Sequence, residues 1–172
     1  MTFSVQEKAT DPRYTGAGVY VPGNGGVTRW FSGDVYSVKL AAEQTGGALG
    51  VIEASVPPGG GPVAHTHRDQ DETFYLLSGE LEFLDGEKTF AASAGDLVFC
   101  RRNIRHRFKN VGLHTAKMLF FYTPGGPEGL FTEGGDEPRP GVQVPTWGPE
   151  RFQGHMLDLF EKYGLEALPE DA

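Results

Sequence analysis

The sequence has one cysteine, Cys100, so it can form no internal disulfide and no multi-cysteine zinc site. It has no long apolar run. Met118-Leu119-Phe120-Phe121-Tyr122 is among the longest, far short of the ~20 residues that a membrane-spanning helix needs. It has little positive charge: 15 Lys and Arg stand against 23 Asp and Glu, for a net −8. The longest basic cluster is Arg101-Arg102, which argues against nucleic acid as a partner. The opening MTFSVQEKATD lacks the basic-then-apolar pattern of a signal peptide, so the expected location is cytoplasmic. No internal repeat of fixed period is visible.

Glycine, by contrast, is abundant: 25 of 172 residues, about twice the usual ~7%. The chain also carries 12 Phe, 6 Tyr and 2 Trp, too many aromatics for a disordered polymer. Short apolar stretches recur between Gly and Pro from residue 17 to 123. They are GVYV (18–21), VTRWF (27–31), DVYSVKL (34–40), GVIEASV (50–56), ETFYLL (72–77), ELEFL (80–84), KTFAA (88–92), DLVFC (96–100), RHRFKN (105–110) and AKMLFFY (116–122). Each is about one strand long, and none holds a 3.6-residue period. Asp85-Gly86 marks a hairpin of the type I′ kind. The expected fold class is all-β, a sandwich or barrel. After residue 123 the pattern changes. PGGPEGLF reads as a loop entering a short helix, with Pro127 near its first turn. Residues 133–149 read as a surface linker. ERFQGHMLDLFEKYG reads as an amphipathic helix stopping at Gly164. The expected organisation is a barrel with N-terminal strands over 1–132, the linker over 133–149, and a C-terminal helix over 150–172 packed on the barrel or on a second subunit.

Three histidines and one glutamate carry the chemistry. On a strand, His65 and His67 face the same way. A polar turn, Arg68 to Asp71, returns the chain so that Glu72 comes back beside them, and His106 arrives from a distant strand. Three imidazoles and a carboxylate suit one divalent transition metal, with further positions open if the ion is octahedral. The pair His-x-His by itself also reads as a polar strand face.

The surrounding spacing is more specific. Gly59, five residues, His65-x-His67, four residues, Glu72, six residues and Gly79 match the first motif of the cupin superfamily. Gly95, ten residues, His106, three residues and Asn110 match the second. From about residue 27 to 131 the chain resembles the quercetinase-like monocupins of the cupin-2 group. The resemblance implies a jelly-roll β-barrel with accessory strands and helices, commonly a homodimer. The glycine-rich arm TGAGVYVPGNGG, free to exchange between subunits, adds to the dimer expectation. The resemblance also implies His65, His67, Glu72 and His106 as metal ligands, and Glu72 as the base for a substrate hydroxyl. The chain departs from the second motif at Arg101 and Asn103, where Pro and Gly are usual; Asn103 tolerates the positive φ that this turn needs. Arg101 and Arg102 read either as cations near an anionic substrate or as solvated rim.

Strand parity puts Phe74, Leu76 and Phe108 on the ligand side, as candidate walls of a substrate pocket with Arg101 at its edge, and sends Tyr75 outside. Asp71 has the wrong parity to compete as a ligand. His114 and His155 read as surface and structural residues, Cys100 as a small core hydrophobe, and Phe131 as a possible cap of the mouth. The function expected is a metal-dependent dioxygenase acting on a small enol or flavonol-like substrate, with O2 as co-substrate. The metal is Fe, Mn, Ni, Co, Cu or Zn. The alternatives are a non-oxidative metal enzyme (isomerase, cyclase, lyase or decarboxylase) and a non-catalytic binding barrel.

Overall fold

The computed structural model describes residues 18–169. The opening MTFSVQEKATD, the start of the glycine-rich arm and residues 170–172 lie outside the described residues. Eleven strands form two antiparallel sheets. They are β1 (Val27–Phe31), β2 (Asp34–Leu40), β3 (Gly50–Val56), β4 (His65–His67), β5 (Asp71–Ser78), β6 (Glu80–Asp85), β7 (Lys88–Ser93), β8 (Leu97–Cys100), β9 (His106–Lys109), β10 (Ala116–Thr123) and β11 (Leu165–Ala167). One sheet runs β1-β2-β3-β10-β5-β8 and the other β11-β4-β9-β6-β7. From β5 onward the chain steps back and forth between the sheets, which is the jelly-roll path. Two helices, α1 (Glu128–Gly134) and α2 (His155–Lys162), follow the barrel strands.

Alternation builds the core. Tyr36 and Val38 on β2, Ile52, Ala54 and Val56 on β3, Phe74 and Leu76 on β5, and Met118, Phe120 and Tyr122 on β10 all point inward. Leu81 and Phe83 on β6 and Phe108 on β9 meet them from the other sheet. Tyr75 points outward, as parity requires.

Several expectations need correction. GVYV (18–21) is irregular rather than a strand. The Asp85-Gly86 hairpin is present, but Glu87 keeps a negative φ, so only the first central residue is left-handed and the turn is not type I′. The turn with both central residues at positive φ is Ser32-Gly33, between β1 and β2. The expected C-terminal helix is broken. A 3-10 turn at Pro149–Phe152 precedes α2, and Gly154, at φ +52, separates them. The expected linker 133–149 begins inside α1 and ends in the 3-10 turn; residues 135–148 between them are irregular but not simply solvated. Asp136 exchanges main-chain hydrogen bonds with Trp30 and accepts one from buried Trp147 Nε1 at 2.9 Å. Strand β11 has no hydrophobic pattern to announce it. It pairs with β4 and so covers the edge of the strand that carries two candidate ligands.

The Gly59-Gly60-Gly61 run passes close under β2 and β9. Gly61 sits at φ +118, and a side chain there would collide with the Phe108 carbonyl. Gly86, at φ +62, faces open space. Gly61→Ala is therefore expected to cost about 2–3 kcal/mol in urea unfolding, against about 1 kcal/mol for Gly86→Ala. Equal costs would show that the close approach at Gly61 is not a constraint.

Candidate metal centre

Strand β4 supplies His65 and His67, β5 supplies Glu72 at its second residue, and β9 supplies His106 at its first. His65 lies opposite His106 in the β4–β9 pairing. All four side chains are buried. One ligand atom from each lies within 4.8 Å of the others, close to twice a metal–ligand bond of ~2.0–2.2 Å. The turn before His106 is held by Asn103, at φ +62, whose N–H donates to the His67 carbonyl at 2.8 Å.

Ring orientation is fixed from outside the cluster. His65 Nδ1 is 2.9 Å from the Val63 carbonyl, and His106 Nδ1 is 2.8 Å from the Ile104 carbonyl. Both Nδ1 atoms must donate, which leaves lone pairs on both Nε2 atoms facing inward. His106 Nε2 is 2.9 Å from Glu72 Oε2, and His67 Nε2 approaches the same oxygen at 3.1 Å without hydrogen-bond alignment. Neither ring nitrogen of His67 makes a hydrogen bond, although the residue is fully buried. Three ring nitrogens turned toward one buried carboxylate, two of them on His67 and His106 within 3.1 Å of it, make a donor set that suits a divalent cation. The residues present therefore fit a metal.

The electrostatics agree. Burial opposes ionisation of Glu72, but the His106 and His67 rings outweigh it and hold the carboxyl well below its usual range. Burial also works against charge on His106, and its contact with Glu72 reverses that and raises it. Burial, with two imidazoles beside it, pushes His65 down to about 3, so it is neutral and ready to ligate. Tyr122, opposite Glu72 in the β10–β5 register, has its hydroxyl raised by burial and by a hydrogen bond with Glu72.

A cavity of about 550 Å³ opens onto this cluster at His65 and Glu72. Phe31, Phe108, Phe120, Phe131 and Leu130 wall it, and Trp147, Phe152 and Phe160 from the C-terminal segment complete the apolar lining. Of the pocket residues expected from parity, Phe108 lines the cavity. Phe74 and Leu76 do not; they point inward but lie in the packed core. Arg101 is exposed and does not line the cavity, and Arg102 pairs with Asp71 at 3.0 Å. Phe131, read as a cap of the mouth, lines the wall, His114 and His155 are exposed, and burial pushes the Cys100 thiol up to about 12.

Asp34, Tyr36 and Tyr122 are among the cavity residues that parity did not single out. The signal for Asp34 is readable in hindsight. It shares the inward face of DVYSVKL with Tyr36 and Val38, so an acid stands where an apolar residue is expected. Asp34 Oδ2 accepts hydrogen bonds from Tyr36 at 2.9 Å and from the Gly61 N–H at 3.1 Å. Burial outweighs both and raises this carboxyl to about 7.

Two predictions follow from these environments. His67→Leu abolishes metal binding by elemental analysis, yet melts above chelator-treated wild type, because it removes two buried unpaired nitrogens. A lower melting temperature than the chelated protein would show that His67 is satisfied without an ion. For Asp34 the folded value lies above the unfolded ~3.9, so its contribution is intact at low pH and is lost as pH rises toward 7. Asp34→Asn should flatten the fall in stability between about pH 4 and 7, seen in melts across that range. An unchanged slope would place the titration elsewhere.

Comparison with known proteins agrees with this architecture. Residues 52–122 match the Cupin_2 family model, described as a cupin domain. The chain is 38% identical over 85 residues to the "Polyketide synthase CurC" of Streptomyces cyaneus, covering 49% of this chain and 53% of that protein. It is 30% identical over 122 residues to the quercetin 2,3-dioxygenase of Bacillus subtilis (strain 168), covering 70% of this chain and 36% of that protein. The chain thus spans about half the length of one curated relative and about a third of the other. Among solved structures, a predicted oxalate decarboxylase from Thermotoga maritima superposes with a TM-score of 0.59 at 22% identity, over 62% of this chain and 99% of that one. That likeness is one of fold. Two sheets in jelly-roll order, both histidine motifs folded into one buried cluster, and the domain match over β3 to β10 place this chain in the cupin superfamily, in the cupin-2 group.

Proposed function

We propose that this protein is a metal-dependent enzyme that oxygenates a small planar enol or phenol, in the manner of a quercetinase. The observation that carries the reading is the cavity: one end is the three-histidine, one-glutamate cluster, and most of the remaining wall is apolar and aromatic. A flat, largely apolar molecule with an acidic hydroxyl matches both halves. The 30% identity with a quercetin 2,3-dioxygenase supports it.

His65, His67, His106 and Glu72 would hold the ion. When bound, a divalent transition metal supplies Lewis acidity and, for Fe, Mn, Co, Ni or Cu, access to O2. The chain's own residues supply the rest. Glu72 is the base that takes the substrate hydroxyl proton onto a carboxylate oxygen. The His106 and His67 rings hold its carboxyl ionised, the form that can take a proton. Tyr122 hydrogen-bonds Glu72 and steadies it. Phe108, Phe120 and Phe131 keep water away from the reacting carbon atoms.

A second reading is favoured by the 38% identity with the polyketide synthase protein. In it the same cluster polarises an enolisable polyketide, Glu72 takes the same proton, and the product is a ring closure without oxygen. O2 consumption separates the two.

The test is elemental analysis, then an oxygen-electrode trace with quercetin. The expected result is near-stoichiometric redox-active metal and uptake that depends on quercetin. Glu72→Gln is expected to keep bound metal while the rate falls about 10²–10⁴-fold. Full turnover by chelated protein would overturn the metal-dependent reading. Bound metal with no uptake across a flavonol series would move the assignment to the non-oxidative chemistry.

A further inference from the structure

The cavity has a second polar feature, separate from the metal cluster. Tyr36 and Asp34 lie on β2, in the sheet that also carries Tyr122 and Glu72, and all four line the same space. The Tyr36 ring is fixed by Phe131 at 4.4 Å between centroids and by Phe120 at 6.0 Å edge-on. Its hydroxyl proton goes to Asp34 Oδ2. Asp34 is itself held by the Gly61 N–H, and its other oxygen packs against Gly60, where a Cβ would collide with it. Asp34 is thus held between Tyr36 and the main chain of Gly60 and Gly61.

A phenol that donates to a carboxylate keeps its own oxygen lone pairs. Among the described residues no protein donor reaches the Tyr36 oxygen. The wall around it is Phe31, Phe120, Phe131 and Leu130, none of which can donate to it. An acceptor left unfilled in an apolar wall costs free energy that a ligand donor recovers.

We infer that Tyr36, oriented by Asp34, is a ligand-binding residue that accepts a hydrogen bond from a hydroxyl of an aromatic ligand, away from the metal cluster. The ligand class is a hydroxylated aromatic, selected over its ether or unsubstituted counterpart. Asp34 acts through Tyr36 and is a positioning residue. The inference shares with the proposed function only that the cavity takes an aromatic ligand, and it is independent of whether O2 is used.

The carboxyl of Asp34, raised to about 7 by burial, is ionised at pH 8, where the Tyr36 proton is committed to it. Its near neighbours are Tyr36 on its own strand and the Gly61 N–H; Glu72 and Tyr122 act on Tyr36 from β5 and β10. At that pH the probes are 2-naphthol and its methyl ether, titrated by calorimetry into the protein as purified. They share a shape and differ in the donor.

Wild type is expected to bind 2-naphthol about tenfold more tightly than the ether. Tyr36→Phe should bring that ratio to about one with metal content retained; its melting temperature falls because the buried Asp34 carboxyl loses a donor, while the ring packing is unchanged. Asp34→Asn should lower the ratio by weakening the hold on the Tyr36 proton. A preference that survives Tyr36→Phe overturns the inference, because the hydroxyl is then read elsewhere, at the metal end included. So does a wild type with no preference, or one that binds neither probe. Failure of oxygen uptake with flavonols would overturn the reaction proposed above and leave this ratio untouched, so the two failures are distinguishable.

Discussion

Four buried side chains with ligand atoms converge beside the cavity, and much of the molecule is arranged around that convergence. Two imidazoles are pinned by main-chain carbonyls so that their free nitrogens face Glu72. The ring nitrogens of the third, His67, have no hydrogen-bond partner. Such a cluster is destabilising as a neutral set. Burying polar atoms without partners costs of the order of 1–3 kcal/mol each, and a buried carboxylate costs more. A single cation reverses the sign of all these terms at once. Metal binding and barrel stability are therefore one equilibrium, and the ligand strands need firm support in the apo state.

That support explains features with no obvious role of their own. Strand β4 is only three residues long and would be an exposed edge. β11 covers it residue for residue, and the Arg68 and Leu168 N–H groups extend the seam at both ends. Asn103 braces the His67 carbonyl from the other side. The C-terminal segment thus does two things together. It closes the ligand strand's edge, and through Trp147, Phe152 and Phe160 it completes the cavity wall above the ligands.

The legible part of the fold was whatever obeys a short-range rule. Nine of the ten short apolar stretches coincide with strands, because alternation and turn glycines act over two to eight residues. GVYV alternates like the others but lies outside the strands, which composition does not reveal. β11 was missed for the opposite reason, since Leu165–Ala167 becomes a strand by what it pairs with. At the site, the spacing of His65, His67, Glu72 and His106 identified all four members of the buried cluster. The pocket walls were harder. Parity tells inside from outside, and it put Phe74, Leu76 and Phe108 inside. It does not tell how deep along the barrel each one lies, and only Phe108 reaches the cavity. Arg101 was a question of direction across a turn, and the turn sends it to solvent.

Neighbours also separate the chemistry of the two buried carboxyls. In the histidine cluster the His106 and His67 rings hold Glu72 ionised even though it is buried. At the Asp34 end no cation balances the carboxyl, and burial drives its value up instead. The same residue type in the same dry barrel is therefore pushed in opposite directions by its neighbours.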